Sequence, residues 1–176
     1  MKELKNLNLT NKKTIVRVDL NVPFFDDKIT DHSRIHAILP TLEKLIKNKN
    51  KVFLISHFGR PSGKVNKKFS IKFLCLELKK ILNLNTIHFL ENCKQKKIET
   101  KISEMNPGEI CLLENIRFNP EEEKNDLNFS KSLASCFDIY INDAFSASHR
   151  NHASITGITK YLPSYAGLSF SKEIEN

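Results

Sequence analysis

The chain has 176 residues, of which 40% are hydrophobic and 27% charged, and its formal net charge is +8. This length suits one domain of ordinary size, and the composition excludes a collagen, a long coiled coil and a disordered tail. Lysine supplies most of the basic residues, because arginine occurs at five positions only: Arg17, Arg34, Arg60, Arg117 and Arg150. The lysines are spread along the chain without aromatic platforms between them, which favours a solvated surface over a nucleic-acid-binding arm.

The four cysteines do not form a metal or redox motif. None of Cys75, Cys93, Cys111 and Cys136 belongs to a C-x-x-C pair, so neither a zinc site nor a thioredoxin-like motif is predicted. The first 13 residues are polar, unlike a signal peptide, and no apolar run approaches the roughly 20 residues that span a bilayer. We therefore expect a cytoplasmic protein without a membrane partner.

The first half of the chain alternates short apolar runs with helical periods. Residues 14–18 are mostly β-branched and predict a strand. Residues 34–47 have helical spacing, although Pro40 within them predicts a kink or a late start. Residues 52–55 form a continuous apolar run, typical of a strand buried on both faces. Ser70 is then expected to cap a second helix.

The second half continues the alternation. Strands are predicted over residues 86–90, 110–113 and 139–141, a turn at Pro107-Gly108 and a helix over 129–137. Strands that alternate with helices indicate βαβ units. The predicted fold is therefore α/β: a Rossmann-like three-layer domain with a mostly parallel sheet flanked by helices.

Polar and charged residues gather after the predicted strands and at the start of the first helix: Asp19, Asn21, Arg34, His57, Arg60, Arg117 and Arg150. Ligands of parallel α/β sheets bind in the loops beyond the carboxyl ends of the strands. Guanidinium groups hold carboxylate or phosphate through two parallel hydrogen bonds, a geometry that lysine cannot reproduce. A carboxylate among them would repel phosphate and is better suited to a hydroxyl. We therefore expect a small ligand with several anionic groups and a hydroxyl.

Taken singly, these residues have simpler interpretations. Asp19 is also compatible with a turn residue that pairs with Arg17 or Arg34, and His57 with a loop histidine whose hydrogen bonds are satisfied. Arg60 and Arg117 are also compatible with surface residues or ion pairs. The acidic run at residues 121–123 favours the N-terminus of a helix, where the dipole is positive.

Two further motifs are weak. Gly59 and Gly63 flank a Gly-Arg-Pro-Ser-Gly segment, but no Lys-Ser or Lys-Thr follows at Walker spacing, so a P-loop is not predicted. Arg150 lies between His149 and His152, but no carboxylate stands nearby at ligand spacing, so no metal site is predicted.

Six segments, in the same order, resemble the phosphoglycerate kinase family: residues 17–23 (RVDLNVP), 31–35 (DHSRI), 56–61 (SHFGRP), 112–118 (LLENIRF), 142–145 (NDAF) and 149–154 (HRNHAS). The resemblance covers essentially the whole chain. It implies that residues 1–176 are the N-terminal substrate-binding domain of such a kinase, ending at the approach to the interdomain hinge, and that the second domain is missing.

The resemblance implies reversible phosphoryl transfer between ATP and the carboxylate of 3-phosphoglycerate, a glycolytic step that gives 1,3-bisphosphoglycerate and ADP. The expected partners are 3-phosphoglycerate or 1,3-bisphosphoglycerate, with no nucleic acid and no membrane, and the chain is expected to be monomeric. Mg-ATP or Mg-ADP is expected on the missing second domain, and no cofactor on this chain alone. Turnover is expected to require that second domain.

The resemblance also implies a role for each candidate residue. Arg34 is expected to be catalytic, beside the substrate carboxylate, where it would stabilise the phosphoryl group in flight. Asp19 and Asn21 are expected to hold the region of the C2 hydroxyl. The expected clamp on the 3-phosphate consists of His57, Arg60, Arg117 and Arg150. The whole expected substrate-binding set is Asp19, Leu20, Asn21, Arg34, His57, Phe58, Gly59, Arg60, Arg117 and Arg150.

Two features depart from the family pattern. Ser146-Ala147-Ser148 stands where the family often has a Gly-Thr-Ala type of stretch, and the family's downstream Gly-Gly-x-Lys segment is absent. Two other interpretations therefore remain. One is a truncated, non-catalytic module that binds phosphate or carboxylate, and the other, which only the charge favours, is a basic nucleic-acid-binding protein.

Overall fold

The computed structural model describes residues 2–175, and the side chains of Asn6 and Glu175 are left aside. The first and last residues of the predicted domain, Met1 and Asn176, lie outside this range. The strands are β1 (Lys2–Glu3), β2 (Lys13–Val18), β3 (Phe24–Phe25), β4 (Lys28–Ile29), β5 (Lys51–Ile55), β6 (Ile87–Leu90), β7 (Ile110–Leu113), β8 (Ile139–Asp143) and β9 (Ser164–Ala166). The α-helices are α1 (Ser33–Lys47), α2 (Leu74–Ile81), α3 (Gln95–Glu104), α4 (Pro120–Glu123), α5 (Leu127–Ala134) and α6 (Leu168–Glu175).

Seven strands form one parallel sheet in the order β1-β9-β8-β2-β5-β7-β6, and β3 and β4 form a small antiparallel hairpin. Side chains alternate across the sheet. Val16 packs in a core with α1 and α2, whereas Ile15 and Tyr140 pack in a second core with α3 and α5. Apolar side chains are therefore buried on both faces of the sheet, and the predicted three-layer α/β fold is confirmed.

The first helix runs without interruption from Ser33 to Lys47, through Pro40, so the predicted late start is wrong. A proline inside a helix costs about 3 kcal/mol. The helix buries an apolar stripe that includes Ile35, Ile38 and Leu42. Each such side chain contributes roughly 1.5–3 kcal/mol when fully buried, so packing outweighs the local cost.

The predicted cap at Ser70 is wrong, because α2 begins four residues later, at Leu74. The Ser70 hydroxyl donates instead to Glu114 Oε2 at 2.6 Å, and the Ile71 amide donates to Glu114 Oε1 at 2.9 Å. These bonds fix the approach to α2 against the loop that follows β7. They compete with the local capping geometry that the sequence favours.

The sequence does not predict helix α3, because its lysine-rich segment has only a narrow apolar stripe. Ile98 in this stripe is fully buried. The strand predicted over residues 110–113 is present with the same ends. The other predicted strands and the helix near residue 129 are present with shifted ends. The turn at Pro107-Gly108 is also present. No helix in the described range is long and apolar enough to cross a membrane.

Candidate functional site

The parallel sheet brings the loops after β2, β5, β7 and β8 to a single edge. Asp19 directly follows β2, and His57 follows β5 by two residues. Arg34 lies in the first turn of α1 and reaches this edge, where its guanidinium donates to Asp19 Oδ2. The edge therefore joins residues that lie far apart in sequence, as the rule for parallel sheets predicts.

The Asp19 carboxylate is held by three donors. The Ser146 hydroxyl and the Arg34 guanidinium donate to Oδ2, and the Asn21 amide donates to Oδ1 at 3.1 Å. Burial opposes the charged form of Asp19, but these hydrogen bonds and the charge of Arg34 outweigh burial and lower its pKa. Asp19 is therefore a charged acceptor near neutral pH. Of the two partners considered from sequence, it pairs with Arg34.

The loop after β5 is held from both sides at Gly59. The Gly59 amide donates to Asn21 Oδ1 at 3.0 Å, and Arg117 NH1 donates to the Gly59 carbonyl at 2.9 Å. Arg117 is buried, and its Nε lies 3.4 Å from Glu123. Asn21 and Arg117 therefore position the loop in addition to any contact they make with a ligand.

Arg60 and Arg150 differ from the other basic residues. Arg60 is exposed and Arg150 half-buried, and neither guanidinium makes a hydrogen bond or an ion pair with any part of the chain that the structure describes. Arg150 lies near enough to His57 and Arg17 to oppose positive charge on both. The guanidinium donors of Arg60 and Arg150 are therefore available to an anionic ligand.

Leu20 and Phe58 have supporting positions. The Leu20 side chain lies in the core, and its amide donates to Ser56 Oγ at 2.9 Å. The Phe58 ring packs edge-on against Phe73, with 5.6 Å between the ring centroids, and the Phe58 carbonyl accepts from Asn115 Nδ2 at 2.7 Å. Both residues therefore hold the two loops in place.

Two open cavities border these loops. One, of about 250 Å³, is lined in part by Asp19, Arg34 and Ser146. The other, of about 660 Å³, is lined in part by Asn21 and Gly59. Residues 2–175 contain no group of three or more His, Cys, Asp or Glu side chains placed to hold a metal ion.

Gly59 can be replaced only with strain. Its φ is +59°, and an added Cβ would lie 2.5 Å from the Phe69 ring. We expect Gly59→Ala to lower the free energy of unfolding by about 1–2 kcal/mol from the backbone alone, measured by urea denaturation. Ser62→Gly is the control, because it removes a Cβ at a φ of +54° on an exposed residue and should not destabilise. Equal stability of Gly59→Ala and the wild type would contradict this reading of the loop.

Several residues of this edge make contacts that the sequence does not predict. Arg17 lies in a predicted strand and in a segment that resembles the family, but its contact with His57, with 3.0 Å between NH2 and Nδ1, is not predicted. Ser146 was noted as a departure from a family pattern, but its bond to Asp19 was not foreseen. Asn115 lies in a segment that resembles the family and holds Phe58. Asn115 follows β7 by two residues and Ser146 follows β8 by three, and this closeness to the carboxyl ends of strands was the available signal.

Fold and site together define a class: a parallel α/β domain whose carboxyl edge is basic, polar and suited to a small anionic ligand. A family model described as phosphoglycerate kinase matches residues 4–176. The chain belongs to the phosphoglycerate kinase family, and the resemblance found in its sequence is confirmed.

Relatives and solved structures agree with this assignment. The chain is 47% identical over 172 residues to the phosphoglycerate kinase of Moorella thermoacetica. This alignment covers 98% of this chain and 44% of the Moorella protein. It is 48% identical over 177 residues to that of Prochlorococcus marinus, covering 99% of this chain and 44% of the relative. The phosphoglycerate kinase structure from Coxiella burnetii superposes with a TM-score of 0.87 at 37% identity, over 98% of this chain and 43% of that one. The chain therefore spans less than half the length of these relatives.

Proposed function

We propose that this chain is the 3-phosphoglycerate-binding domain of a phosphoglycerate kinase, extending over residues 1–176 to the approach of an interdomain hinge. The observation that carries the proposal is the edge at which basic groups meet one charged carboxylate. Arg60 and Arg150 have no protein partner in the described range, while Asp19 is charged and partly accessible. Such an edge suits a ligand that combines phosphate, carboxylate and hydroxyl groups.

The proposed roles follow from the hydrogen-bonding groups that each side chain does not already use within the protein. Arg60 and Arg150, together with His57 and Arg117, bind the fixed phosphate. Asp19 accepts a hydrogen bond from the C2 hydroxyl. A further contact comes from the Asn21 side chain. Its Oδ1 already accepts from the Gly59 amide, so its Nδ2 donor is offered to the substrate.

Arg34 is the proposed catalytic residue of this half of the enzyme. Phosphoryl transfer depends mainly on positioning and on neutralising charge at the equatorial oxygens. The Arg34 side chain is 42% exposed while it donates to Asp19, so its remaining donors can reach a carboxylate bound at the same edge. There it stabilises negative charge that develops during transfer. The backbones of Leu20, Phe58 and Gly59 set the loops that hold the substrate.

We propose that Mg-ATP or Mg-ADP is held by the part of the family's length that this chain does not cover, where it supplies or accepts the phosphoryl group. The substrates on this side are 3-phosphoglycerate and 1,3-bisphosphoglycerate. We further propose a cytoplasmic monomer without nucleic-acid or membrane partners.

A coupled assay for ATP-dependent formation of 1,3-bisphosphoglycerate tests this function. The 176-residue chain alone should bind 3-phosphoglycerate weakly and turn nothing over, because closure against a second domain completes such sites and excludes water. The chain completed with the segment of the Moorella thermoacetica enzyme outside the match should be active. Turnover by the chain alone would contradict the need for a second domain.

The same completed protein separates the two remaining interpretations. Binding of 3-phosphoglycerate without turnover would favour a non-catalytic module. Retention on nucleic acid that falls steeply with salt, without binding of 3-phosphoglycerate, would favour a nucleic-acid-binding protein.

A further inference from the structure

Arg17 occupies a position where an apolar side chain would be expected. It lies within β2 and is 1% exposed. Its guanidinium nevertheless makes three hydrogen bonds: Nε donates to Ser154 Oγ at 3.1 Å, NH1 donates to the Val18 carbonyl, and NH2 lies 3.0 Å from His57 Nδ1. The first and third connect β2 to two different loops of the candidate site.

The contact with His57 settles which ring nitrogen carries the proton. An arginine side chain has only donors, so His57 Nδ1 must accept. A proton on Nδ1 would set two donors against each other in the protein interior, which is costly. The proton of the neutral ring therefore lies on Nε2. His57 Nε2 makes no hydrogen bond within the described range. It is also not one of the solvent-inaccessible polar atoms that lack a partner, so a ligand can reach it.

A buried carboxylate holds Arg17 in place through a serine. Glu122 is fully buried and accepts from the Ser154 hydroxyl at 2.6 Å and from the Ser154 amide at 2.8 Å. The Tyr140 hydroxyl fixes the same loop by donating to the Ser154 carbonyl at 2.9 Å. The buried negative charge of Glu122 is thus connected to the Arg17 charge through Ser154. This connection holds the guanidinium as a rigid donor.

The charges around His57 act in the same direction. Burial and the Arg17 charge lower the pKa of His57 to about 3, and Arg150 and His152 add to this effect, while Asp19 opposes it. These four groups come from β2, the loop after it and the segment after β8. His57 is therefore an uncharged ring near neutral pH.

We propose that Arg17 is a positioning residue that fixes His57 as the neutral tautomer protonated on Nε2, so that the ring offers the phosphate of the substrate one uncharged N–H donor. The tautomer belongs to the free chain, and its use by a phosphate rests on the proposed function. The arginines supply the positive charge that attracts the anion, and the His57 N–H fixes the direction of one hydrogen bond to it. Substrate binding should therefore not vary through titration of His57 near neutral pH.

Long-range ¹H–¹⁵N correlation spectra of the histidine rings in the wild-type chain test the tautomer without any variant. From about pH 5 to pH 8, the range in which an ordinary histidine titrates, His57 should keep the pattern of a neutral ring protonated on Nε2. A ring protonated on Nδ1, or on both nitrogens within this range, would overturn the proposal.

Variants test whether Arg17 is the cause. In Arg17→Met, combined with Glu122→Gln to keep the interior neutral, His57 should titrate closer to its ordinary pKa and show both tautomers. Arg17→Lys, which keeps a charged donor, should restore part of the wild-type pattern. A folded double variant with unchanged His57 signals would overturn the proposal, and the wild-type spectra decide the tautomer even if that variant does not fold.

Ligand binding separates this proposal from the proposed function. The affinity of the wild type for 3-phosphoglycerate should change with pH in parallel with that of His57→Gln, because glutamine also offers a neutral N–H donor. An extra rise in wild-type affinity below about pH 6.5 would overturn the neutral role of His57. The expected tautomer without any binding of 3-phosphoglycerate would leave the positioning role intact and contradict the proposed function.

Discussion

Arg34→Ala should lower kcat of the completed two-domain protein by roughly 100-fold or more, the effect of removing one donor aimed at developing charge. The affinity for 3-phosphoglycerate should fall much less, because the proposed phosphate contacts of Arg60 and Arg150 are retained. Steady-state kinetics measure both parameters. The physical basis is the position of Arg34, which is exposed at the edge and held there by Asp19.

Two other variants make the Arg34 result specific. Arg60→Ala should mainly raise KM, because Arg60 is proposed to hold a group that does not react. His36→Ala, at an exposed position in the same helix, should leave both parameters close to those of the wild type. An unchanged kcat in Arg34→Ala would show that its catalytic assignment is wrong.

Glu122→Ala should destabilise the chain by about 3–5 kcal/mol, the cost of leaving a buried charge without its partner. The variant removes the carboxylate opposite the fully buried Arg17 and also leaves the Ser154 amide and hydroxyl without their acceptor. Urea denaturation followed by circular dichroism measures the change as a lower midpoint at a similar slope.

The neighbouring Glu121 supplies the matched control. Its side chain is half-buried in the same short helix and makes no hydrogen bond or ion pair with the Arg17 network in the described range. Glu121→Ala should therefore alter stability by no more than about 0.5 kcal/mol. If Glu122→Ala and Glu121→Ala proved equally stable, the buried Glu122 carboxylate would not be what compensates Arg17.

The sequence predicted the sheet and the edge because both follow from local patterns. Apolar runs such as residues 110–113 define buried strands, and parallel strands end at one edge, which is where Asp19 and His57 were expected and are found. The family resemblance added roles for these residues, and the comparisons confirm the family. The individual roles stay predictions.

The buried network could not be predicted, because its members are distant in sequence and individually ordinary. Arg17 and Ser154 are separated by 137 residues, and Glu122 and Ser154 by 32. Glu122 was interpreted as one of three acidic residues at a helix start. That position is confirmed by α4, but local propensity cannot reveal that this carboxylate is fully buried. Long-range hydrogen bonds of this kind depend on the packed register of the sheet and its loops.

Titration of the ¹⁵N-labelled chain with 3-phosphoglycerate tests directly whether this edge binds the substrate. Saturable shifts should concentrate at the Gly59 and Asn21 amides and at the guanidinium signals of Arg60 and Arg150. They should weaken strongly in an Arg60→Ala/Arg150→Ala variant, whose two side chains make no bonds within the described range. The absence of saturable shifts, or shifts centred on the exposed face of α3, would contradict the claim.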